Sequence, residues 1–180
     1  ILESQEAPFF LANDPSPSTF IQRFLRCPAI KDRFDAVIID TPPNLDVHFN
    51  NALMAADFVI IPMVPEPKSV KGLRNLQKSL AKVSDASGVR ILGILLNRVR
   101  PINTHKRLSD FLKTTYGSVV FETQIGDSKD IPETDESAQI GVLLHNPISK
   151  TAESITALTE EIFQRMQQTR AGRRSKPGLW

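Results

Sequence analysis

The chain carries a single cysteine, Cys27, among 180 residues. That excludes an internal disulfide and fits a reducing compartment, with a buried or neutral thiol expected. No glycine precedes Gly72, so no glycine-rich loop able to wrap a phosphate with backbone N–H groups can lie in that stretch. No apolar run approaches the roughly 18 residues that a membrane-spanning helix needs, and no secretory signal is evident. His48, His105 and His145 are scattered; with one cysteine they exclude a His/Cys metal cluster and are expected at the surface. Neither sign of charge dominates: the net charge is +2, which says little about partners. Internal repeats and long low-complexity stretches are also missing.

What is present is enough apolar residue, 41% of the chain, for one core plus tails. The most informative run is Phe34-Asp35-Ala36-Val37-Ile38-Ile39-Asp40-Thr41-Pro42-Pro43. Three consecutive β-branched residues predict a strand covered on both faces, as in a parallel sheet. Asp40 then falls at its C-terminal end, where open α/β sheets hold phosphates and magnesium, and the two prolines end the ladder and stiffen the loop.

Elsewhere the periodicities alternate. Pro8 to Ala12 reads as a short strand, and Ser18 as the cap of a helix whose apolar side is Phe20, Ile21, Phe24 and Leu25. Val47 to Ala56 reads as a helix and Phe58 to Ile61 as a strand. Val70, Leu73, Leu76, Leu80 and Val83 then recur at helical spacing. Ile91 to Leu96 reads as a buried strand. Thr104 to Tyr116 reads as a helix with Leu108, Phe111 and Leu112 inward, ended by Gly117. Val119 to Phe121 is a possible short strand, and Ser149 to about Gln168 a last helix with Ala152, Ile155, Leu158, Ile162, Phe163 and Met166 on its apolar side. Residues 1–168 form the expected domain, and 169–180 a basic tail expected to be disordered. Such alternation argues an α/β fold with a mostly parallel sheet and helices on both faces.

Four motifs stand in order: Asp40-Thr41-Pro42-Pro43-Asn44-Leu45; Asn51-Ala52-Leu53-Met54-Ala55-Ala56-Asp57; Ile61-Pro62-Met63-Val64-Pro65-Glu66 followed by Gly72-Leu73; and Ile91-Leu92-Gly93-Ile94-Leu95-Leu96-Asn97-Arg98. On these the segment from Phe34 to about Gln168 resembles the ParA/MinD family of deviant-Walker ATPases, and ParA-type plasmid or chromosome partition proteins most closely. The resemblance implies a P-loop NTPase-like fold and a switch in which two subunits sandwich ATP and Mg²⁺, bind DNA non-specifically as a homodimer, and hydrolyse ATP when a centromere-binding ParB-like partner stimulates them. It makes Asp40 the Walker B carboxylate, holding Mg²⁺ through water and organising the attacking water. Thr41, Pro42, Pro43, Asn44 and Leu45 become switch II, and Asn97, Arg98 and Gly126 border the adenine. The family's Lys-Gly-Gly-x-Gly-Lys-[Ser/Thr] loop is not in this sequence. Together with a start at Ile1, that absence leads us to expect a C-terminal piece lacking the first strand and P-loop, which by itself binds ATP poorly and is unstable. A cytoplasmic, nucleoid-associated location is expected, without stable membrane association.

Three basic sets are candidates for phosphate. Lys68, Lys71, Arg74, Lys78 and Lys82 make a helical stripe that reads first as a solvated face. Arg98, Arg100, His105, Lys106, Arg107 and Lys113 cluster around the helix that ParA-type relatives use for DNA, making Arg100, Lys106, Arg107 and Lys113 the DNA-binding candidates. Arg165, Arg170, Arg173, Arg174 and Lys176 form a basic C-terminal set suited to a phosphate-seeking arm. The sequence also departs from the family. Where the family usually has Ile-Pro-Arg-x-x-Arg, it reads Ile125-Gly126-Asp127-Ser128-Lys129-Asp130, and both acids should repel DNA. Asp46 replaces a common glycine and could cap the following helix. A MinD-like membrane ATPase is an alternative disfavoured by the polar C-terminal end; a non-catalytic interaction module of the same fold is another, favoured by the missing P-loop and opposed by the retained Asp40 turn.

Overall fold

The computed structural model describes residues 16–41, 46–128, 143 and 146–171. Its elements in order are α1 (Phe20–Leu25), α2 (Pro28–Lys31), α3 (Val47–Ala55), β1 (Phe58–Met63), α4 (Pro67–Ser87), β2 (Arg90–Leu96), α5 (Asn103–Tyr116) and α6 (Lys150–Ala171). The chain divides into two compact units, Ile1–Val59 with Asn75–Arg90, and Ile60–Arg74 with Ile91–Trp180.

In the first unit, α1 is held against α3 through polar groups. Asn51, completely buried, accepts the N–H of Ile21 through Oδ1 at 3.0 Å. Ile21 lies in the first turn of α1, where backbone N–H groups lack intrahelical partners, so the amide serves as a remote cap. Gln22 reaches the carbonyl of Met54 at 2.7 Å. The expected cap at Ser18 does not form: a 3₁₀ turn at Pro17–Thr19 intervenes, and Thr19 precedes α1 without a side-chain cap bond. Asp46 does cap α3, accepting from the N–H groups of His48 and Phe49 at 2.9 and 3.2 Å. This satisfies two orphan donors and places negative charge at a helix N-terminus. Cys27 is exposed, so of the expected buried or neutral thiol the burial does not hold.

Strands β1 and β2 pair. The N–H of Arg90 bonds the carbonyl of Asp57 and that of Asn97 bonds Met63, at 3.2 and 2.9 Å. Advancing along one strand advances along the other, so the pair is parallel. The stretch after α5 continues the parallel pattern on β2 through bridges Ile94–Val120 and Val99–Gly126, so the expected strand at Val119–Phe121 is present only as isolated pairing. β2 is the most buried strand, with Ile94 and Leu96 fully covered, as a central strand of an α/β sheet should be. Gly93 is required where it stands: a Cβ there would meet the Phe121 ring at 2.5 Å and the Val119 carbonyl at 2.8 Å.

The helices follow their apolar periodicity, with exceptions. Leu73 and Leu80 of α4 are buried, while Lys68, Lys71, Arg74, Lys78 and Lys82 are all exposed. On α5, Leu112 is fully buried but Phe111, expected inward, is 45% exposed. Gly117 ends α5 with φ of 54°, a conformation glycine adopts without penalty. α6 runs to Ala171 with Phe163 exposed. The expected strand at Pro8–Ala12 lies outside the described residues.

Candidate functional site

Asp40 ends the run that predicts a buried strand, and here the structure corrects the expectation. Residues 36–41 belong to no strand. Val37 is 49% and Ile38 95% exposed, and Asp40 is exposed as well. β-branched side chains favour extended backbone, but a strand also needs a neighbour to complete its ladder, and among the described residues none pairs with this one. Thr41 is exposed; Pro42, Pro43, Asn44 and Leu45 lie outside the described residues. Asp40 belongs to the first unit.

Asn97 and Gly126 belong to the second unit, and there the structure brings them close. Ile125 donates its N–H to Leu96 O at 2.9 Å, Val99 donates to Ile125 O at 3.0 Å, and Asp127 donates to Val99 O at 3.0 Å. The loop after β2 is thus zipped to the loop holding Gly126. The first follows the C-terminal end of β2, the edge where open α/β sheets take ligands, and the second is joined to it by an isolated parallel bridge. Asn97 Oδ1 accepts the N–H of Arg98 at 2.9 Å. Arg98 has φ of 52°, a left-handed conformation that costs a non-glycine residue of order 1 kcal/mol and that the Asn97 bond helps hold.

Two arginines of this loop share one carboxylate. Arg98 Nε lies 3.3 Å from Asp127 Oδ1, and Arg100 Nε lies 2.7 Å from Asp127 Oδ2. Hydrogen bonds from Arg100 first and Arg98 second hold the Asp127 carboxyl below its ordinary 3.8. The acid that the sequence marks as repelling phosphate is therefore itself paired with cations.

The remaining DNA-binding candidates lie on or before α5. Lys106 and Arg107 are exposed, whereas Lys113 lies 3.4 Å from Glu122. A cavity of about 450 Å³ is lined by Arg100, Lys106, Ser109, Asp110 and Gln124 among others; the buried Ser109 hydroxyl has no hydrogen-bond partner. His105, expected at the surface, is 2% exposed. Its Nδ1 accepts the N–H of Arg100 at 3.1 Å, and its Nε2 lies 3.9 Å from Glu66, so it braces the loop between β2 and α5.

Arg165 was grouped with the basic C-terminal set, and the structure reassigns it. Its guanidinium donates to the carbonyls of Leu92, Ser118 and Val120 at 3.2, 2.9 and 2.9 Å, pairs with Glu161 at 2.8 Å, and stacks 4.2 Å from the centroid of Phe121. Glu161 in turn accepts the N–H groups of Glu122 and Thr123 at 3.0 and 2.9 Å. Burial alone would raise the Glu161 carboxyl, but these donors and Arg165 outweigh it and hold it below its ordinary 4.5. The i,i+4 spacing of Glu161 and Arg165 was the available sequence signal. The other basic C-terminal side chains lie outside the described ones.

A parallel strand pair with intervening helices defines an α/β protein with the architecture of the P-loop NTPase fold. Comparison with known proteins narrows this. A family described as an AAA domain matches residues 5–91. The virulence plasmid ParA family protein pGP5-D of Chlamydia trachomatis is 33% identical over 134 residues, 72% of this chain and 49% of that protein. A plasmid partition protein from Borrelia burgdorferi B31 bound to AMPPNP superposes with a TM-score of 0.65 at 22% identity, covering 89% of this chain and 60% of that one. A cobyrinic acid a,c-diamide synthase from Mycobacterium smegmatis, with bound ATP analogue and magnesium, gives a TM-score of 0.57 at 23% identity over 73% of this chain and 59% of that one. In sequence and fold the chain is similar to ParA-family proteins, which supports placement with the ParA/MinD-type ATPases. It spans about half the length of the curated relatives it matches. Among the described residues no helix is long and apolar enough to cross a membrane.

Proposed function

We propose that this chain serves a partition-type ATP-dependent switch: a homodimer formed around ATP and Mg²⁺, binding DNA non-specifically in the cytoplasm, on the nucleoid, and released when a ParB-like centromere-binding partner stimulates hydrolysis. The partition role of the relatives supports the role here, and the ATP analogues and magnesium bound by fold neighbours support the cofactors. The observation that carries the reading is the Val99–Gly126 bridge, which brings the loop of Gly126 beside the loop that Asn97 opens after β2.

Taken separately, the first unit offers a carboxylate for the metal and the second a pair of zipped loops for the base. Asp40 is an exposed carboxylate of the kind that holds Mg²⁺ through water, and Asn97, Arg98 and Gly126 would border the adenine. Bound Mg²⁺ would neutralise charge on the β- and γ-phosphates. The phosphate-cradling loop is not among these 180 residues, none of which is glycine before Gly72. Thr41 to Leu45 follow Asp40 directly and would report the γ-phosphate as switch II.

The test uses the protein as its gene encodes it. Asp40→Ala should lower ATP turnover by about 100-fold or more, the scale for losing one preorganised electrostatic group, and should abolish ATP-dependent retention on DNA. Turnover indifferent to Asp40, or DNA retention indifferent to ATP, would overturn the reading.

A further inference from the structure

The most unusual arrangement among the described residues is one carboxylate divided between two arginines that flank a base-binding candidate. Val99 pairs with Gly126 in an isolated parallel bridge, which brings the backbone of Arg98 and Arg100 alongside that of Asp127. The backbone bonds Val99–Ile125 and Asp127–Val99, both 3.0 Å, fix this register independently of the side chains. Each oxygen of Asp127 then meets a different Nε, at 3.3 and 2.7 Å. A carboxylate presented this way offers arginine what a phosphate offers: two anionic acceptors in one plane.

We propose that Asp127 is a built-in phosphate mimic that occupies Arg98 and Arg100 and sets how tightly this surface binds the DNA backbone, which must displace it. The proposal rests on the DNA-binding reading above. All three side chains are substantially exposed, and exposed ion pairs are weak enough to exchange partners. An aspartate is ionised at neutral pH, so Asp127 meets both arginines as an anion. Lys106 and Arg107, exposed on α5, would supply the first contact with DNA.

The experiment measures affinity of the full-length gene product for a random-sequence duplex across a salt series. Asp127→Asn keeps the shape and removes the charge; it should tighten binding about three- to tenfold, the scale of releasing two exposed pairs, and steepen the salt dependence by about one to two released counterions. Asp127→Glu should restore affinity toward wild type. Adding Arg98→Ala and Arg100→Ala to Asp127→Asn should erase the gain. Amide exchange at Val99 and Asp127 reports whether each variant keeps the paired loops, and thermal melts whether it folds. If the folded wild type binds DNA but Asp127→Asn gains neither affinity nor slope, or its gain survives loss of both arginines, the phosphate mimic is overturned and DNA binding stands. If no variant binds DNA at any salt, the DNA reading falls and the proposal with it.

Discussion

Asn51 shows what a single buried polar residue does in this chain. Its side chain has no exposed surface and accepts the Ile21 N–H, so truncation strands a donor at the start of α1 and leaves a small void. Asn51→Ala is expected to lower stability by about 1–3 kcal/mol, the cost of an unsatisfied buried group, as a shift of the denaturant midpoint at unchanged slope. Its place in the Asn-Ala-Leu motif was legible in the sequence; its bond to α1, thirty residues away, was not. Gly93 is the complementary case. Phe121 and the Val119 carbonyl occupy the space a methyl group would need, so Gly93→Ala should destabilise by about 1–3 kcal/mol through overpacking, measured the same way. A glycine within a strand marks close approach, but what approaches only the fold reveals.

At the scale of elements, helices were read closely and the unpaired strand was not. α5 begins one residue before its expected start and ends at Tyr116 as expected, and the Val70–Val83 periodicity lies within α4, because periodic apolar residues and a terminal glycine act locally. Asp46 joins this group: it caps α3 as a local rule allows. Asp46→Ala should cost about 1 kcal/mol and lower the melting temperature, while Asp46→Ser should recover most of the loss. In the run Val37-Ile38-Ile39, Val37 and Ile38 stand exposed, and among the described residues the run has no ladder. A helix closes its own hydrogen bonds, whereas a strand borrows them from a partner, and no pattern within the run can supply one. Arg165 likewise reads as one more basic residue of the C-terminal set until α6 lays it across three carbonyls and the Phe121 ring.

At the scale of the whole chain, two depressed carboxylates tie stability to pH. Glu161 and Asp127 bind protons less tightly when folded than their ordinary values of 4.5 and 3.8. Their contributions are therefore fully present above those values and are lost as pH falls through them toward the folded-state pKa. Stability should be flat near neutrality and decline below about pH 4.5, and Glu161→Gln should flatten that acid limb in a pH series of denaturant midpoints. What the sequence determined by itself is what local rules and ordered motifs carry: the α/β alternation, most of the helices, the Asp46 cap, the family resemblance, and the identity of Asp40, Asn97 and Gly126 as candidates. What only the tertiary structure decided is which charges are occupied and which strands find partners. Asp127 closing on Arg98 and Arg100, His105 buried beneath their loop, and Arg165 spent inside the fold are contacts between segments distant in sequence. Charge and hydrogen bonding depend on distance in space, and the chain order does not encode that distance.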